Sequence, residues 1–486
     1  MLLWERLKHH ADRQGEKPAL CCDSEKLTYA EFAARAEALA QSWLAQGLAP
    51  GDRIALHLRN GLELATCYYA CFAVGFVAVP INTRLRAEEV TFVLEHSGAR
   101  AYLAADDLRI PSSVPSLKPE TQQTGPLPTP DPDAPALLLY TSGTTARPKG
   151  VTHSQRTLAG NGYYMDDWGL KPDDHTLLFT SMAHASGSIM LFMSSLWMGA
   201  TVTIVPVFDA GVALDTWAKS GATFFMSLPT LIRALITEQR ARPRSIKTGR
   251  LVICGGDTVP VTLQQDYTET FGHPMVEGFG MTEGLPTLAN RVENNRPGTL
   301  GRPVGDVELR VVEGEMWMRG CGIATGYWGD APFQEGWLKT GDLVEIDADG
   351  FVWFRGRKKE IIVRGGSNIS PQEVEEALYQ HSAVAEAGVI GEADDYWGEV
   401  VVAYVAVRNG HHASAEQLIA HCRQHLAEYK CPERVLFLDV LPKGATGKVQ
   451  RRALKELLKE LRPIDPTPQA SDPGASAIAE LAPARH

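Results

Sequence analysis

The sequence predicts an α/β protein, and three observations carry that prediction. Short apolar runs such as 53–58 and 76–80 alternate with helix-like segments such as 29–46, an alternation typical of parallel sheets covered by helices. A second series of apolar runs, from 176 to 284, repeats the pattern, and several of these runs end abruptly in small or polar residues. From about Gly298 the chain changes to short strands and turns, so we expect a β-rich subdomain there.

The composition is that of an ordinary globular protein and excludes some partners. The chain has 486 residues, of which 44% are hydrophobic and 22% charged, a length that predicts two or three domains. Its net charge is -11 and it has no long Lys/Arg block, so nothing attracts it to nucleic acid or to an anionic membrane surface. Its eight cysteines include no CxxC pair, which favours reduced thiols and a cytoplasmic location. We therefore expect a soluble enzyme that acts on a small molecule.

Two uncharged stretches are long enough to imitate membrane spans, but we interpret both as core. Residues 64–81 carry no formal charge over 18 positions, enough on length alone to cross a bilayer. Gly75 divides them into a helix-like and a strand-like half, which favours a buried helix followed by a buried strand. Ser, Gly, His and Pro interrupt the second stretch, 175–208. No membrane span is therefore predicted.

Past Arg357 the sequence predicts a small, charged α+β domain. Ser370, followed by Pro371, begins one helix with a capping box, and Ser414 begins another. Two strand-like runs lie between these helices. The last 24 residues contain five prolines, which is typical of a disordered tail. We therefore divide the chain into a large N-terminal domain (1–357), a small C-terminal domain (358–462) and a tail (463–486).

A loop rich in hydroxyl groups follows the predicted strand at 136–140. It reads TSGTTARPKG from Thr141 to Gly150, with four hydroxyl side chains, a central glycine and Lys149. Backbone and hydroxyl donors beside one strong positive charge suit a polyphosphate. A plain Ser/Thr turn is the poorer interpretation, because five small or hydroxyl residues precede a Pro-Lys-Gly exit. Spacing excludes a Walker-type P-loop, because Lys149 precedes its glycine.

Motifs along almost the whole chain resemble, in the same order, those of one enzyme superfamily. After YTSGTTARPKGV come GFGMTEG at 278–284, GEMWMRG at 314–320, GYW at 326–328, GWLKTGD at 336–342, GRKKEIIVRGGSNISPQEVE at 356–375 and LPKGATGKVQRRAL at 441–454. This set resembles the adenylate-forming superfamily of acyl-CoA synthetases, adenylation domains and luciferases, over everything but the tail. One departure is Ala146, where the family has glycine. A positive φ at that position would cost an alanine about 1 kcal/mol.

The resemblance implies an AMP-forming acid–thiol ligase that works in two half-reactions with ATP, Mg²⁺ and coenzyme A. A carboxylate attacks the α-phosphorus of ATP to give an acyl adenylate and pyrophosphate, and a thiol then displaces AMP. A carboxylate is already ionised near neutral pH, so the first step needs no general base. Catalysis then reduces to neutralising phosphate charge and aligning the attack.

The resemblance also gives expected roles to residues at the nucleotide site. Glu283, with Thr282 before it, is the expected oxygen ligand of the magnesium ion. Phe279 stands where the family stacks an aromatic ring on adenine. Asp342 stands where the family accepts the two ribose hydroxyls, with support from Arg357. The other positions expected to contact ATP are Thr141, Ser142, Gly143, Thr144, Thr145, Lys149, Gly256, Asp257, Gly278 and Gly280.

Lys448 is the residue expected to carry the first half-reaction. Its flexible ammonium group can reach both the carboxylate and the α-phosphate, and so lowers the repulsion between them. Lys359 stands where the family places the hinge of a mobile C-terminal domain, although an ordinary linker lysine explains the sequence equally well. Rotation there would withdraw Lys448 and bring Gly365, Gly366 and Ser367 towards the site as the coenzyme A loop.

The expected acid pocket is apolar. His184 stands between this pocket and the thiol channel, and Ala185 follows it where members that activate amino acids commonly have aspartate. We therefore expect a hydrophobic acid without an amino group, fatty or aryl. The other expected pocket residues are apolar or small, namely Met226, Ser227, Pro229, Gly255, Gly284 and Leu285.

The sequence alone does not determine the thiol acceptor or the oligomeric state. Coenzyme A is the expected thiol, and a carrier-protein phosphopantetheine is the alternative, because both kinds of enzyme share every ATP-binding residue. A binding protein without turnover is disfavoured, because Lys448, Glu283 and Asp342 are all retained. A homodimer is compatible with the sequence.

Overall fold

Helices and strands alternate along the chain much as the sequence predicts. The computed structural model describes residues 1–117, 125–141, 148–257, 259–408, 410–444 and 448–460. The helices are α1 (Leu3–Gln14), α2 (Tyr29–Ala45), α3 (Leu62–Val74), α4 (Ala87–Ser97), α5 (Gln155–Trp168), α6 (Ser194–Met198), α7 (Ala210–Ser220), α8 (Pro229–Ala241), α9 (Val261–Phe271), α10 (Pro371–Tyr379), α11 (Ala415–His425) and α12 (Arg451–Glu460). A π-helix (Ser186–Met193) precedes α6, and 3₁₀ turns cover Gln334–Gly336 and Glu428–Lys430.

The strands of the described part form four sheets. In chain order they are β1 (Pro18–Cys22), β2 (Glu25–Thr28), β3 (Arg53–His57), β4 (Val77–Pro80), β5 (Ala101–Ala104), β6 (Pro135–Thr141), β7 (Lys149–Ser154), β8 (His175–Leu178), β9 (Thr201–Ile204), β10 (Phe224–Ser227), β11 (Leu251–Gly255), β12 (Val276–Met281), β13 (Gly284–Ala289), β14 (Arg302–Pro303), β15 (Glu308–Val312), β16 (Glu315–Arg319), β17 (Gly326–Tyr327), β18 (Leu338–Ile346), β19 (Val352–Arg357), β20 (Ile362–Arg364), β21 (Ser367–Ile369), β22 (Val384–Asp394), β23 (Gly398–Val407) and β24 (Arg434–Phe437).

Two large sheets with parallel centres make up most of the N-terminal part. One has the order β14-β13-β12-β11-β10-β8-β9-β1-β2 and the other β17-β7-β6-β4-β3-β5. The pairings β8–β10, β10–β11 and β11–β12 are parallel, as are β3–β4, β3–β5 and β4–β6. Their carboxyl ends therefore lie at common edges, where open α/β sheets bind ligands. The predicted α/β class is confirmed.

The main core lies between these two sheets and is filled by helices. Residues of α2, α3, α5 and the π-helix pack there against strands of both sheets. The uncharged stretch 64–81 forms the buried helix α3 and the buried strand β4, separated by Gly75 at φ 81°, as predicted. Among the described residues, none of the helices is long and apolar enough to cross a membrane.

The β-rich and C-terminal parts also contain the kinds of secondary structure that the sequence predicts. Strands β15, β16, β18 and β19 form an antiparallel sheet, and β20–β24 form a further sheet packed against α10, α11 and α12. One local prediction is wrong: α10 begins after Ser370 with Pro371 in its first turn, but the expected capping box is not formed. The Ser370 hydroxyl contacts the Gln372 side-chain oxygen instead. The capping box at Ser414 is present.

Glycines at the carboxyl end of β11 and within β12 let the two strands approach each other. Gly255 and Gly278 are register partners, and a Cβ on Gly255 would lie 2.2 Å from the Gly278 carbonyl oxygen. A Cβ on Gly278 would lie 2.0 Å from the ring of Trp168, at the end of α5. Tight packing of strand on strand and of helix on strand thus fixes the edge where the ligand cleft is expected.

We predict that Gly255→Ala destabilises the protein. The added methyl group forces β11 and β12 apart, an overpacking that costs about 1–3 kcal/mol. Gly61→Ala is the matched control, because a Cβ on Gly61 meets no atom within 4 Å and should change stability by less than about 0.5 kcal/mol. Urea-unfolding midpoints of the two variants measure the difference. Equal midpoints would contradict the close approach of the strands.

Candidate active site

The two described flanks of the hydroxyl-rich loop face each other across an antiparallel pair of strands. Thr141 ends β6 and Lys149 begins β7, and the two are register partners. The Lys149 ammonium nitrogen lies 4.4 Å from the ring centroid of Tyr327, a cation–π contact. Ser142, Gly143, Thr144, Thr145 and Ala146 lie outside the described residues. The loop's exit therefore holds its lysine at a defined place, against Tyr327.

Tyr327 also contacts the expected magnesium ligand. Glu283 is buried, and the Tyr327 hydroxyl donates a 2.7 Å hydrogen bond to its Oε1. Burial, followed by the charge of Glu283, raises the pKa of Tyr327, so this hydroxyl stays a donor. The hydrogen bond orients the carboxylate, and Oε2 does not take part in it. Tyr327 belongs to the GYW motif, but no local sequence pattern indicates its contact with Glu283.

The donor set at Glu283 fits magnesium rather than a metal held by protein alone. Among the described residues there is no group of three or more His, Cys, Asp or Glu side chains that could hold a metal ion. Magnesium is usually held by one or two carboxylates together with phosphate oxygens and water. Glu283 could supply the protein's share of such a shell, and a bound triphosphate would have to supply oxygens as well.

A buried histidine connects β7 to the Thr282–Glu283 turn. His153 is fully buried, and its Nε2 lies 2.8 Å from the Thr282 carbonyl oxygen, to which it donates. Burial lowers the pKa of His153 to about 4, so the ring is neutral at physiological pH. The strand that carries Lys149 and the turn that carries Glu283 are thereby held together. No sequence pattern had indicated this contact.

Asp342 is a buried carboxylate with unused hydrogen-bonding capacity. It pairs in register with Arg357 across β18 and β19, and Arg357 Nε lies 3.0 Å from Asp342 Oδ1 as an ion pair. Apart from this contact with Arg357, neither carboxylate oxygen has a hydrogen-bond partner in the described structure. Burial raises the pKa of Asp342, while Arg357 and Lys448 oppose the rise. Two orphaned acceptors side by side fit a ligand with two neighbouring hydroxyl groups, such as a ribose.

Lys448, from the loop before α12, lies within the electrostatic reach of the same groups. Desolvation by the surrounding protein, together with Arg357, lowers the pKa of Lys448, while Asp257, Asp342 and Glu360 oppose the shift. The residue as a whole is exposed. Lys448 thus interacts electrostatically with Asp342 and Asp257, the expected ribose and adenine residues.

His184 lies at the same cleft as a neutral acceptor. Its Nε2 is 2.7 Å from Asn82 Nδ2, and Asn82 Oδ1 accepts from the Arg84 backbone N–H, which fixes the amide orientation. Asn82 therefore donates, and the proton of His184 is assigned to Nδ1. Burial, followed by the charges of Lys448 and Arg84, lowers the pKa of His184 to about 4. Sequence reasoning had not identified Asn82.

The expected acid-pocket residues are divided between two faces of the sheet. Met226 and Leu285 belong to the core between the large sheets, and strand alternation places Gly255 on that side as well. Ser227 follows Met226 and therefore lies on the opposite side, and its buried hydroxyl has no hydrogen-bond partner in the described structure. Pro229 is buried in the first turn of α8. Met226, Gly255 and Leu285, but not Ser227, share one face.

The remaining expected nucleotide residues follow β11 or lie along β12. Gly256 has φ 81°, a conformation that favours glycine, and Asp257 after it is exposed. Phe279 is half-buried against the core of the β-rich part. Gly278 and Gly280 flank it, and a Cβ on Gly280 would lie 2.3 Å from Leu285. Packing therefore explains both of these glycines.

The expected hinge and coenzyme A loop lie at the start of the C-terminal part. Lys359 is exposed in the turn after β19. Gly365 and Gly366 form the turn between β20 and β21 at φ 53° and 80°, and Ser367 begins β21. The Gly365 amide donates to the Trp397 carbonyl oxygen at 2.7 Å. The loop is thus anchored to the turn before β23.

Comparison with known protein families gives a consistent result over both parts of the chain. Residues 7–328 match the model of the AMP-binding enzyme family, and residues 373–448 match that of the AMP-binding enzyme C-terminal domain. The first match alone covers more than half of the chain.

Characterised relatives align over nearly their full lengths. The sulfoacetate–CoA ligase of Cupriavidus necator is 33% identical, over 88% of this chain and 92% of the relative. The 2-succinylbenzoate–CoA ligase of Bacillus subtilis is 32% identical, over 93% and 98%. The solved structure of the Bacillus subtilis o-succinylbenzoate coenzyme A synthetase with ATP and magnesium ion superposes with a TM-score of 0.83 at 30% identity, over 94% of this chain and 99% of that one.

We predict that Tyr327 acts on metal and phosphate through separable parts of its side chain. Tyr327→Phe removes the hydroxyl that orients Glu283 but keeps the ring under Lys149. Because a hydrogen bond to a charged group is worth about 1.5–3 kcal/mol, we expect ATP binding in the presence of Mg²⁺ to weaken about tenfold or more. Binding without Mg²⁺ should not change.

Tyr327→Leu is the companion variant, because it also removes the ring. It should weaken ATP binding both with and without Mg²⁺. Isothermal titration calorimetry under the two conditions measures both effects. A Phe variant that loses the same affinity in each condition would contradict the assignment of the hydroxyl to the metal side.

Proposed function

This chain belongs to the AMP-binding enzyme family, and from that premise we propose that it activates a hydrophobic carboxylic acid without an amino group for transfer to coenzyme A. Its family and its relatives show that the protein is an AMP-forming acid–CoA ligase that uses ATP, Mg²⁺ and coenzyme A. The observation that carries the proposal is the ion pair of Arg357 with the buried Asp342, 3.0 Å between Nε and Oδ1, together with the influence of both charges and of Asp257 on the pKa of Lys448.

In the first half-reaction the protein aligns two anions and lowers their repulsion. The two orphaned oxygens of Asp342 accept the ribose hydroxyls, and Arg357 keeps that carboxylate ionised. Lys448 lies between the acid carboxylate and the α-phosphate, where its positive charge counts most as the attacking oxygen approaches. Magnesium held by Glu283 supplies further neutralisation of phosphate charge when bound. No proton has to leave the attacking acid.

Among hydrophobic acids, a compact aryl acid is favoured over a long fatty acid. Met226, Gly255 and Leu285 offer an apolar face, and Ala185 after His184 supplies no charge for a substrate ammonium group. The Trp168 ring fills the space beside Gly278, which adds an aromatic surface next to that apolar face. The name of the Bacillus subtilis relative includes a benzoate. The name of the sulfoacetate ligase includes no aryl acid. The proposed preference for an aryl acid therefore rests mainly on the apolar residues of the expected pocket.

In the second half-reaction we propose that the small domain turns about Lys359. Residues 358–462 would move as that domain against residues 1–357, withdrawing Lys448 and presenting Gly365, Gly366 and Ser367 to the thiol. His184, neutral and fixed by Asn82, lies where the acid pocket would meet the thiol channel. Coenzyme A is favoured over a carrier protein because the relatives are named as CoA ligases.

A pyrophosphate-exchange screen over aryl, fatty and amino acids tests this proposal. We expect aryl acids to drive exchange best, and AMP to appear once coenzyme A is added. Repeating the assay with a phosphopantetheinylated carrier protein tests the alternative acceptor. Exchange driven best by an amino acid would overturn the reading of Ala185, and release of ADP would overturn the whole proposal.

We predict that Lys448→Ala slows adenylate formation about 100-fold to 1000-fold, the scale of losing one transition-state donor. Thiolation of a supplied acyl adenylate should be largely unchanged, because Lys448 acts only on the attack at phosphorus. Lys455→Ala, on the exposed side of α12, is the matched control and should leave both steps unchanged. Pyrophosphate exchange and CoA-dependent consumption of the adenylate measure the two steps. Equal loss in both steps would contradict this division of roles.

A further inference from the structure

Arg451, three residues after Lys448, makes the densest set of side-chain ion contacts in the described C-terminal part. Its Nη2 donates to both carboxylate oxygens of Glu375, at 2.9 and 2.8 Å, and its Nη1 donates to Glu360 at 2.8 Å. Its Nε reaches the Val389 carbonyl oxygen at 3.2 Å. Glu375 is buried, and its Oε1 also accepts from the Val389 amide. All three donor nitrogens of the guanidinium group are therefore engaged.

These contacts join three separate segments of the chain. Glu360 is the residue after Lys359, in the turn after β19, whereas Glu375 lies on α10 and Val389 on β22. Arg451 itself is the first residue of α12. One planar guanidinium group thus ties the segment after the expected hinge to α10, to β22 and to the start of α12.

Arg451 also stands next to the base of the loop that carries Lys448. The loop returns on itself: the Gly444 amide donates to the Lys448 carbonyl oxygen at 2.8 Å, and the Gln450 amide donates to the Pro442 carbonyl oxygen at 2.8 Å. Arg451 follows directly after Gln450. The reach of the Lys448 ammonium group into the cleft therefore depends on where Arg451 anchors this base.

We propose that Arg451 is a positioning residue for adenylate formation, which sets the reach of Lys448 by binding Glu360 and Glu375 at the same time. The proposal rests on the proposed function, in which Lys448 acts in the first half-reaction alone. Arg451 need not touch any substrate. It determines where the loop base lies, and a lysine displaced by about 1 Å can lose about 100-fold in rate.

Electrostatics give Arg451 a second effect in the same direction. Glu360 is one of the acids whose charge acts on Lys448, and it also acts on Asp342. Without Arg451, the Glu360 carboxylate would keep only the 3.4 Å hydrogen bond from Gln372 Nε2, and its uncompensated charge would attract the Lys448 ammonium group. The hydrogen bond from Arg451 holds that carboxylate and offsets its charge. Loss of Arg451 would therefore both loosen the loop and give Lys448 a competing partner.

The neighbouring residue supplies a matched control. Arg452 is also in the first turn of α12, but its side chain is 79% exposed and pairs with Glu456 on the same helix. An exposed pair of this kind contributes little to stability. Arg451→Met and Arg452→Met thus remove the same charge from adjacent positions, and only the first breaks the contacts with α10 and Glu360.

The test compares these variants in both half-reactions. Arg451→Met should lower the turnover of pyrophosphate exchange about 100-fold with little change in KM for ATP. Thiolation of a supplied acyl adenylate should stay within about twofold of wild type, and Arg452→Met should match wild type in both steps. Arg451→Lys should recover part of the loss, because a lysine can hold one carboxylate but not both in the same geometry.

Glu375→Gln keeps the test decisive if Arg451→Met fails to fold. It breaks the two-point pair while preserving the shape of the side chain. We expect it to slow adenylate formation by a smaller factor than Arg451→Met does, and to leave thiolation unchanged. Equal losses in both half-reactions, or an effect of Arg451→Met no larger than that of Arg452→Met, would overturn the proposal. Failure of the proposed function would be distinct, because the wild-type protein itself would then show no pyrophosphate exchange with any acid.

Discussion

The burial of the Asp342 carboxylate is the constraint on which the rest of the site depends. An ionised carboxylate loses several kcal/mol of solvation on burial, and Asp342 is fully buried. Arg357, whose Nε lies 3.0 Å from Asp342 Oδ1, and the charge of Lys448 offset part of that cost. In the proposed function, the hydroxyl groups of a ribose would supply the remaining hydrogen bonds. The two charged partners of Asp342 thus link the expected ribose site to the expected catalytic lysine.

The features that sequence could predict are those set by local pattern. Apolar runs bounded by turn residues predicted β10, β11 and β12, and Gly75 correctly divided an uncharged stretch into α3 and β4. Lys448 and Asp342 are predicted as site residues from family motifs, because short signatures fix residue type and spacing. In each case the information lies within a few neighbouring positions, so a single sequence is enough.

The features that sequence missed depend on contacts between distant segments. Tyr327 reaches Glu283 from 44 positions away, and His153 reaches Thr282 from 129 positions away; no local pattern encodes either pairing. Ser227 was grouped with the acid pocket by its place in the chain, but strand alternation puts it opposite Met226. The capping box at Ser370 failed for a similar reason, since the serine hydroxyl found a side-chain partner instead.

The charges of the expected nucleotide residues explain why this site would need a divalent cation. Lys149, Arg357 and Lys448 are matched in number by Asp257, Glu283 and Asp342, so this set has no net positive charge to offer a triphosphate. The acids still have roles: Asp342 is the proposed acceptor for ribose, and Asp257 and Asp342 raise the pKa of Lys448 against desolvation. Charge neutralisation at the phosphates must then come largely from magnesium. The orientation of Glu283 by Tyr327, and of the Lys448 loop by Arg451, would decide whether these few charges meet the phosphates in the right place.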